Sequence, residues 1–211
     1  MTYVHKTIEN AAVGVAVIDD ASNFNQLRKP GVAATIWRRQ LPADLQDWFD
    51  NLPIEGLPSA RVILRVEAVR DAIDAICSNA RMPNTFNRRL FVDDVVSLSE
   101  HFARLMETNL VRIRLDVVHD DACRKFHIDA VTARLVCTYR GAGTQYGISM
   151  DGAEPKRIFS VPTGAPILLR GTKWPEPPTS GLLHRSPPIE GTGAVRFMLV
   201  IDPIAESKSE T

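Results

Sequence analysis

The texture of the second half of the chain constrains the fold most. From Asn109 onward the segments LVRIRLDVV, ARLVCTYRG, RIFSVPTGAPILLRG and VRFMLVID are short, rich in β-branched residues and separated by Gly, Pro and Asp turn signals. Runs of this length suit strands, so the C-terminal half is expected to be sheet.

The first half reads differently. After the apolar stretch AAVGVAVIDD, the segment from Gly31 to Trp37 (GVAATIW) suits a strand. In LPADLQDWFDNL, Pro42 and Asp44 suit a helix start, and Leu45, Trp48, Phe49 and Leu52 recur at helical spacing. Alternation from Arg61 to Glu67 predicts another strand. Residues 69–80, with Val69, Ile73, Ile76 and Cys77 on one stripe, predict a helix that buries Cys77. A longer helix is expected to start at Asp93 or Asp94, whose carboxylates suit the positive end of its dipole, and to run through VVSLSEHFARLMET; His101 within it is read as packed or solvated.

No regular strand–helix alternation calls for a doubly wound parallel sheet. The pattern predicts an α+β, mainly β chain, a barrel backed by N-terminal helices. A single domain over residues 1–205 is expected, with 1–108 supplying strands and supporting helices, 109–205 the barrel core, and 206–211 a disordered tail. A chain of 211 residues that is 45% hydrophobic can bury one sizeable core.

Charge and cysteine usage narrow the setting. Lys plus Arg and Asp plus Glu each number 25, so no net field draws the chain to nucleic acid. Cys77, Cys123 and Cys137 form no CxxC pair and read as reduced thiols. MTYVHKTIEN lacks the basic and apolar parts of a leader, and no run is long enough to span a membrane. A cytoplasmic monomer or homodimer acting on a small-molecule or protein substrate is the expectation.

Chemistry concentrates in a few positions. On the extended segment KFHID, alternation puts His127 and Asp129 on one face and Ile128 on the other. His184, in GLLHRSPP, precedes the last strong strand. Two histidines and one carboxylate make a facial triad, which leaves positions open for substrate and oxygen at Fe(II). A zinc site built with His119, Asp121 or Cys123, which share the parity of His127, is a second reading, but DDACRK reads as a polar turn. Arg196 heads VRFMLVID, where its guanidinium could enter the same barrel and bind a carboxylate through two parallel hydrogen bonds. Arg134 and Thr138 share a face of their strand and Tyr139 takes the other; Thr138 or Tyr139 could hydrogen-bond a bound oxo-acid. Arg134, and Arg185 with Ser186 before the rigid pair Pro187 and Pro188, could orient the ligands. No G-x-S-x-G elbow, P-loop or G-x-G-x-x-G is present.

The H-x-D of His127 and Asp129, the distal His184 and the following Arg196 resemble the Fe(II)- and 2-oxoglutarate-dependent dioxygenase superfamily over residues 109–202. The resemblance implies a double-stranded β-helix (a jelly-roll or cupin-like barrel). It also implies Fe(II) held by His127, Asp129 and His184, and 2-oxoglutarate gripped at its distal carboxylate by Arg196 and decarboxylated to succinate as a substrate bond is oxidised. VPTGAPILLRG is similar to the strand-turn-strand that precedes the distal histidine in that superfamily. More closely, FHID, ARLVCTYRGAGTQY and HRSPP are similar to an uncharacterised bacterial family, a domain of unknown function (DUF1826), across nearly the whole chain. GTQYGISMDGAEPKR is expected to be a polar loop and names no substrate. The same ligands would also serve a non-catalytic metal-binding or sensing barrel, or a zinc-dependent hydrolase or isomerase with a metal-bound water.

Overall fold

A computed structural model describes residues 11–120, 124–149 and 154–205. The expectations for the N-terminal ten residues, for Asp121 and Cys123 and for the tail 206–211 lie outside the described residues.

The strands are β1 (Gly14–Ile18), β2 (Val32–Trp37), β3 (Ala60–Arg65), β4 (Leu110–Val118), β5 (Ala133–Arg140), β6 (Gln145–Ile148), β7 (Phe159–Ser160), β8 (Pro166–Arg170), β9 (Leu182–Arg185) and β10 (Arg196–Pro203). The helices are α1 (Ala43–Asn51), α2 (Val69–Asn79) and α3 (Phe86–Met106), with a 3-10 segment over Ala21–Arg28. The fold is mixed α/β and mainly strand. Seven strands form one sheet in the order β1-β2-β8-β5-β10-β4-β3, and three form a second in the order β7-β6-β9.

Period-two alternation sorts the large sheet into two faces. Ala133, Leu135, Cys137 and Tyr139 of β5, Phe197, Leu199 and Ile201 of β10, and Val111, Ile113 and Leu115 of β4 join the cluster that holds Leu45 and Phe49 of α1, Ile73 of α2 and Phe91 of α3. The helices thus cover one face. At its centre Phe91 meets Tyr139 edge-on, ring centroids 5.0 Å apart, and Phe49 lies 5.3 Å from Tyr139. The other face offers Val136, Ile167, Leu169, Met198 and Val200, which cluster with Leu182 of β9, Val161 and, at the edge, Tyr146 of β6. The small sheet therefore lies over the large one, and the candidate site falls between them.

Four expectations change. The sheets do not close into a barrel: the small sheet has strands of only two to four residues, too short to wrap the large one, and the bridge between Ala12 and Ser180 is an isolated one. The N-terminal strands are not a separate support, since β1 with β2 and β3 form the two edges of the large sheet. Helix α3 starts at Phe86, not at Asp93 or Asp94, because Thr85 caps it by accepting from the Arg88 amide at 3.3 Å. Asp93 and Asp94 instead take Arg70 and Arg39 from neighbouring segments. The polar stretch 143–157 contains β6, which pairs with both β7 and β9. The expected strands at 31–37 and 61–67 and the helices at 42–52 and 69–80 have counterparts in β2, β3, α1 and α2. Among the described residues no helix is long and apolar enough to cross a membrane.

Candidate metal centre

Backbone pairing brings the two histidines together. His127 and His184 face each other across an antiparallel bridge in which each amide donates to the other's carbonyl at 3.0 Å. Side chains directly opposite on such a pair lie on the same face and in contact range, and the imidazole centroids are 4.6 Å apart. Asp129, two residues past His127 on the extended segment, turns to the same side. One donor atom from each of the three residues falls within 4.8 Å of the others, an arrangement able to hold a metal ion.

Each donor is held in a ligand-ready state. His127 Nδ1 lies 2.8 Å from the Lys125 carbonyl; donating a proton there leaves the Nε2 lone pair for the centre. Asp129 uses Oδ1 on Arg134, whose Nε and Nη2 reach the two carboxylate oxygens of Asp202 at 2.7 and 2.8 Å. The second oxygen, Asp129 Oδ2, is buried and accepts no hydrogen bond, although His184 Nε2 is 2.9 Å away: the two atoms approach without the alignment of an N–H···O bond. Buried oxygens are seldom left so. A cation between Oδ2 and the two imidazole nitrogens would satisfy all three, and two nitrogens with one carboxylate suit Fe(II) or Zn(II).

Electrostatics agree with that state at Asp129 and His184 and oppose it at His127. Burial alone would raise the Asp129 carboxyl, but His127, His184 and Arg134 outweigh it and hold it well below the ordinary carboxylate range. Burial lowers the His184 imidazole against the pull of Asp129, which favours the neutral ring. His127, beside Asp129, is raised despite partial burial, so an arriving cation competes there with a proton.

A small cleft, open to solvent on one side, lies against this cluster, and its walls include His127, His184, Arg134, Val136, Met198, Val200, Arg114 and Asp116. Arg196 is fully buried at one end of the cleft-facing residues of β10. It donates through Nε to the Ala142 carbonyl at 2.6 Å, through Nη1 to Ser186 Oγ at 3.0 Å and through Nη2 to Thr138 Oγ1 at 3.4 Å. The turn that permits this has Gly141 at φ 80°, where a Cβ would meet the Val195 carbonyl at 2.5 Å. Ser186 also lines the cleft. Arg185 stacks over Phe126 at 4.3 Å and donates to Gln145 Oε1 at 2.9 Å, which braces the strand that carries His184.

Tyr139 does not reach this region. It faces the helices, its hydroxyl donating to Asp94 Oδ2 at 2.6 Å, as its parity opposite Thr138 requires. Of the alternative zinc set His119 lies within the described residues and Asp121 and Cys123 do not. Asp202, Arg114, Gln145 and Phe126 were not legible as site residues. Asp202 shares the β10 parity of Arg196, which could have marked it; the others depend on cross-strand neighbours.

The sequence model of a family described as a protein of unknown function (DUF1826) matches residues 18–202. No curated protein matches the chain in sequence. Among solved structures the fold is similar to dioxygenase for auxin oxidation 1 from Arabidopsis thaliana in complex with 2-oxoglutarate. That match has a TM-score of 0.50 and 10% identity and covers 94% of this chain and 95% of that one. It is also similar to the rice dioxygenase for auxin oxidation, with a TM-score of 0.51, 12% identity and coverage of 92% and 84%. At these identities the likeness is one of fold.

Proposed function

The chain belongs to the DUF1826 family, and from its site we propose a non-haem iron(II) oxygenase that uses 2-oxoglutarate. His127, Asp129 and His184 hold the metal, Arg196 with Thr138 and Ser186 takes the distal carboxylate of the cosubstrate, and the two facing sheets are the halves of a double-stranded β-helix. The observation that carries this reading is the buried, unbonded Asp129 Oδ2 set against two imidazole nitrogens on a hydrogen-bonded bridge. The dioxygenase fold of the similar structures supports the class.

Iron(II) bound there supplies O2 activation, with overall stoichiometry substrate C–H + O2 + 2-oxoglutarate giving C–OH + CO2 + succinate. The chain's own residues prepare that chemistry. Arg134 holds one oxygen of Asp129 and so leaves the other, Oδ2, as the one that would bind the metal. The Thr138 and Ser186 hydroxyls touching Arg196 can rotate to donate to a carboxylate, turning an enclosed guanidinium into an anion seat. Val136, Met198 and Val200 floor the cleft with apolar surface and limit water beside the donors.

The test is anaerobic addition of Fe(II) and 2-oxoglutarate to metal-free protein. A visible metal-to-ligand charge-transfer band is expected, followed by succinate when oxygen is admitted, and both should vanish in His184→Ala. A protein that retains only zinc and gives no band with iron is not this oxygenase.

A further inference from the structure

The cleft-facing side of the large sheet does not end at the metal cluster. Beyond β10 it continues onto β4 and the edge strand β3, and there it is basic. Arg114 lines the cleft, and in the β3–β4 register it lies directly opposite Arg61, with Arg112 one pleat along opposite Ile63. Like charges placed directly opposite on a sheet repel, so an arginine pair at that register destabilises the chain unless an anion occupies the space between. Among the described residues, protein carboxylates fill that role only in part. Arg61 and Arg112 make no ion pair or hydrogen bond among the described residues. Asp202, the register partner of Arg112, gives both oxygens to Arg134. Asp116 approaches Arg114 only at 3.7 Å.

Arg114 carries the decisive detail: its Nε is buried and has no hydrogen-bond partner. A guanidinium offers Nε–H and one Nη–H side by side, the pair that a carboxylate grips with two parallel bonds. Beside this donor the cleft wall carries Asp116 and Arg134, and between them and the metal cluster runs an apolar strip of Val118, Val136, Met198 and Val200. Arg114 stands on β4, whereas Arg196 and its hydroxyl partners are grouped at the far end of β10, where Arg196 pairs with Val118. The two anion seats are therefore separate.

We propose that the substrate is an organic acid with an apolar body, its carboxylate held by Arg114, with Arg61 and Arg112 at the rim, and its body lying along the valine and methionine floor toward the metal. The inference rests on the oxygenase reading for what happens to the substrate, but binding can be measured without it. The cleft is small and open on one side, so it suits a compact molecule with part of its body reaching solvent.

The experiment uses the full chain and a panel of apolar monocarboxylates from butyrate to naphthoate, each paired with its uncharged amide. Binding is followed by ligand-observed NMR on zinc-loaded and on metal-free protein, so that it does not depend on turnover. Acids are expected to bind and their amides not to. Arg114→Gln should weaken the acids by about tenfold to a hundredfold, the worth of a charge-assisted pair of bonds, and the exposed Arg61→Gln, which cannot disturb the core, by a smaller factor. The charge-transfer band with Fe(II) and 2-oxoglutarate should survive in Arg114→Gln. Equal binding of acid and amide, unchanged binding in both variants, or no acid bound by the wild-type protein overturns the proposal. Loss of the band in a folded Arg114→Gln overturns it too, because Arg114 would then be serving the cosubstrate. Absence of the band in wild type alone sinks the oxygenase reading and leaves the acid seat standing on its own binding data.

Discussion

Replacing Arg134 with Met should expose how closely the candidate metal centre depends on a neighbouring ion pair. Arg134 joins two carboxylates: Asp129, which turns its other oxygen toward the metal position, and Asp202, which is 2% exposed and takes two bonds from the guanidinium. Removing the guanidinium leaves Asp202 as a charge with no partner in a site closed to water, a change that costs about 3–5 kcal/mol. For a chain of this size that corresponds to a fall in Tm of roughly 6 to 20 °C. Removing Asp202 as well, as Arg134→Met with Asp202→Leu, eliminates that stranded charge and leaves only Asp129, beside the two histidines, without the guanidinium, so it should recover part of the loss. Metal affinity should behave differently. Asp129 loses the bond that orients it in both variants, so each should bind Fe(II) or Zn(II) about tenfold to a hundredfold more weakly than wild type. The assays are urea melts of chelator-treated protein and competition titration with a metallochromic indicator. If Arg134→Met melts within 1 kcal/mol of wild type, taken as an order-of-magnitude threshold for an exposed pair, or if the double variant regains full metal affinity, the coupling described here is wrong.

Other outcomes follow from the same packing. In His184→Ala the backbone bridge to His127 remains available, so near-native circular dichroism is expected together with a loss of metal affinity larger than the tenfold to hundredfold of an outer partner; isothermal titration decides. Burial raises the thiols of Cys77 to about 11 and Cys137 to about 12 and also raises the Tyr139 hydroxyl. The folded state thus keeps protons that the unfolded chain gives up, and stability is fully present below about pH 8.5, the unfolded thiol value, and is lost above it, by at most about 1.4 kcal/mol per pH unit per group. Urea midpoints at pH 8 and pH 10.5 check this, and a midpoint that holds steady contradicts it. Phe91→Ala, which empties the space between Phe49, Tyr139 and Phe197, should cost about 3–5 kcal/mol while leaving the metal donors in place; a melt paired with a metal titration separates the two effects.

What the sequence made legible follows the range of each interaction. Strand parity is local, and it correctly separated Arg134 and Thr138 from Tyr139 and placed His127 with Asp129. Helical spacing is local too, so α1 and α2 could be read from their apolar stripes. The start of α3 was misplaced because Asp93 and Asp94 look like dipole partners in isolation, whereas the cap is Thr85 and the two carboxylates serve Arg70 and Arg39 from elsewhere in the chain. The approach of His184 to His127 rests on a single bridge between distant segments, which no local pattern encodes. The same holds for Arg114 opposite Arg61: each is an ordinary strand arginine until the register sets them face to face.

The place of β10 has a consequence for how the chain is made. Among the described residues it is the last strand in sequence, yet it sits between β5 and β4 and is hydrogen-bonded to both. During synthesis, at about 5–20 residues per second, β3 and β4 can form a hairpin-like pair and β2, β5 and β8 can begin to associate, but the two halves have no common strand until Arg196–Pro203 leaves the ribosome. For those seconds each half carries an open, apolar edge of the kind that recruits chaperones or pairs with a neighbouring nascent chain. Growth temperature and chaperone supply should therefore govern the yield of native protein more strongly than its final thermodynamic stability does. A ribosome stalled just before β10 should hold a chain that proteases still cut.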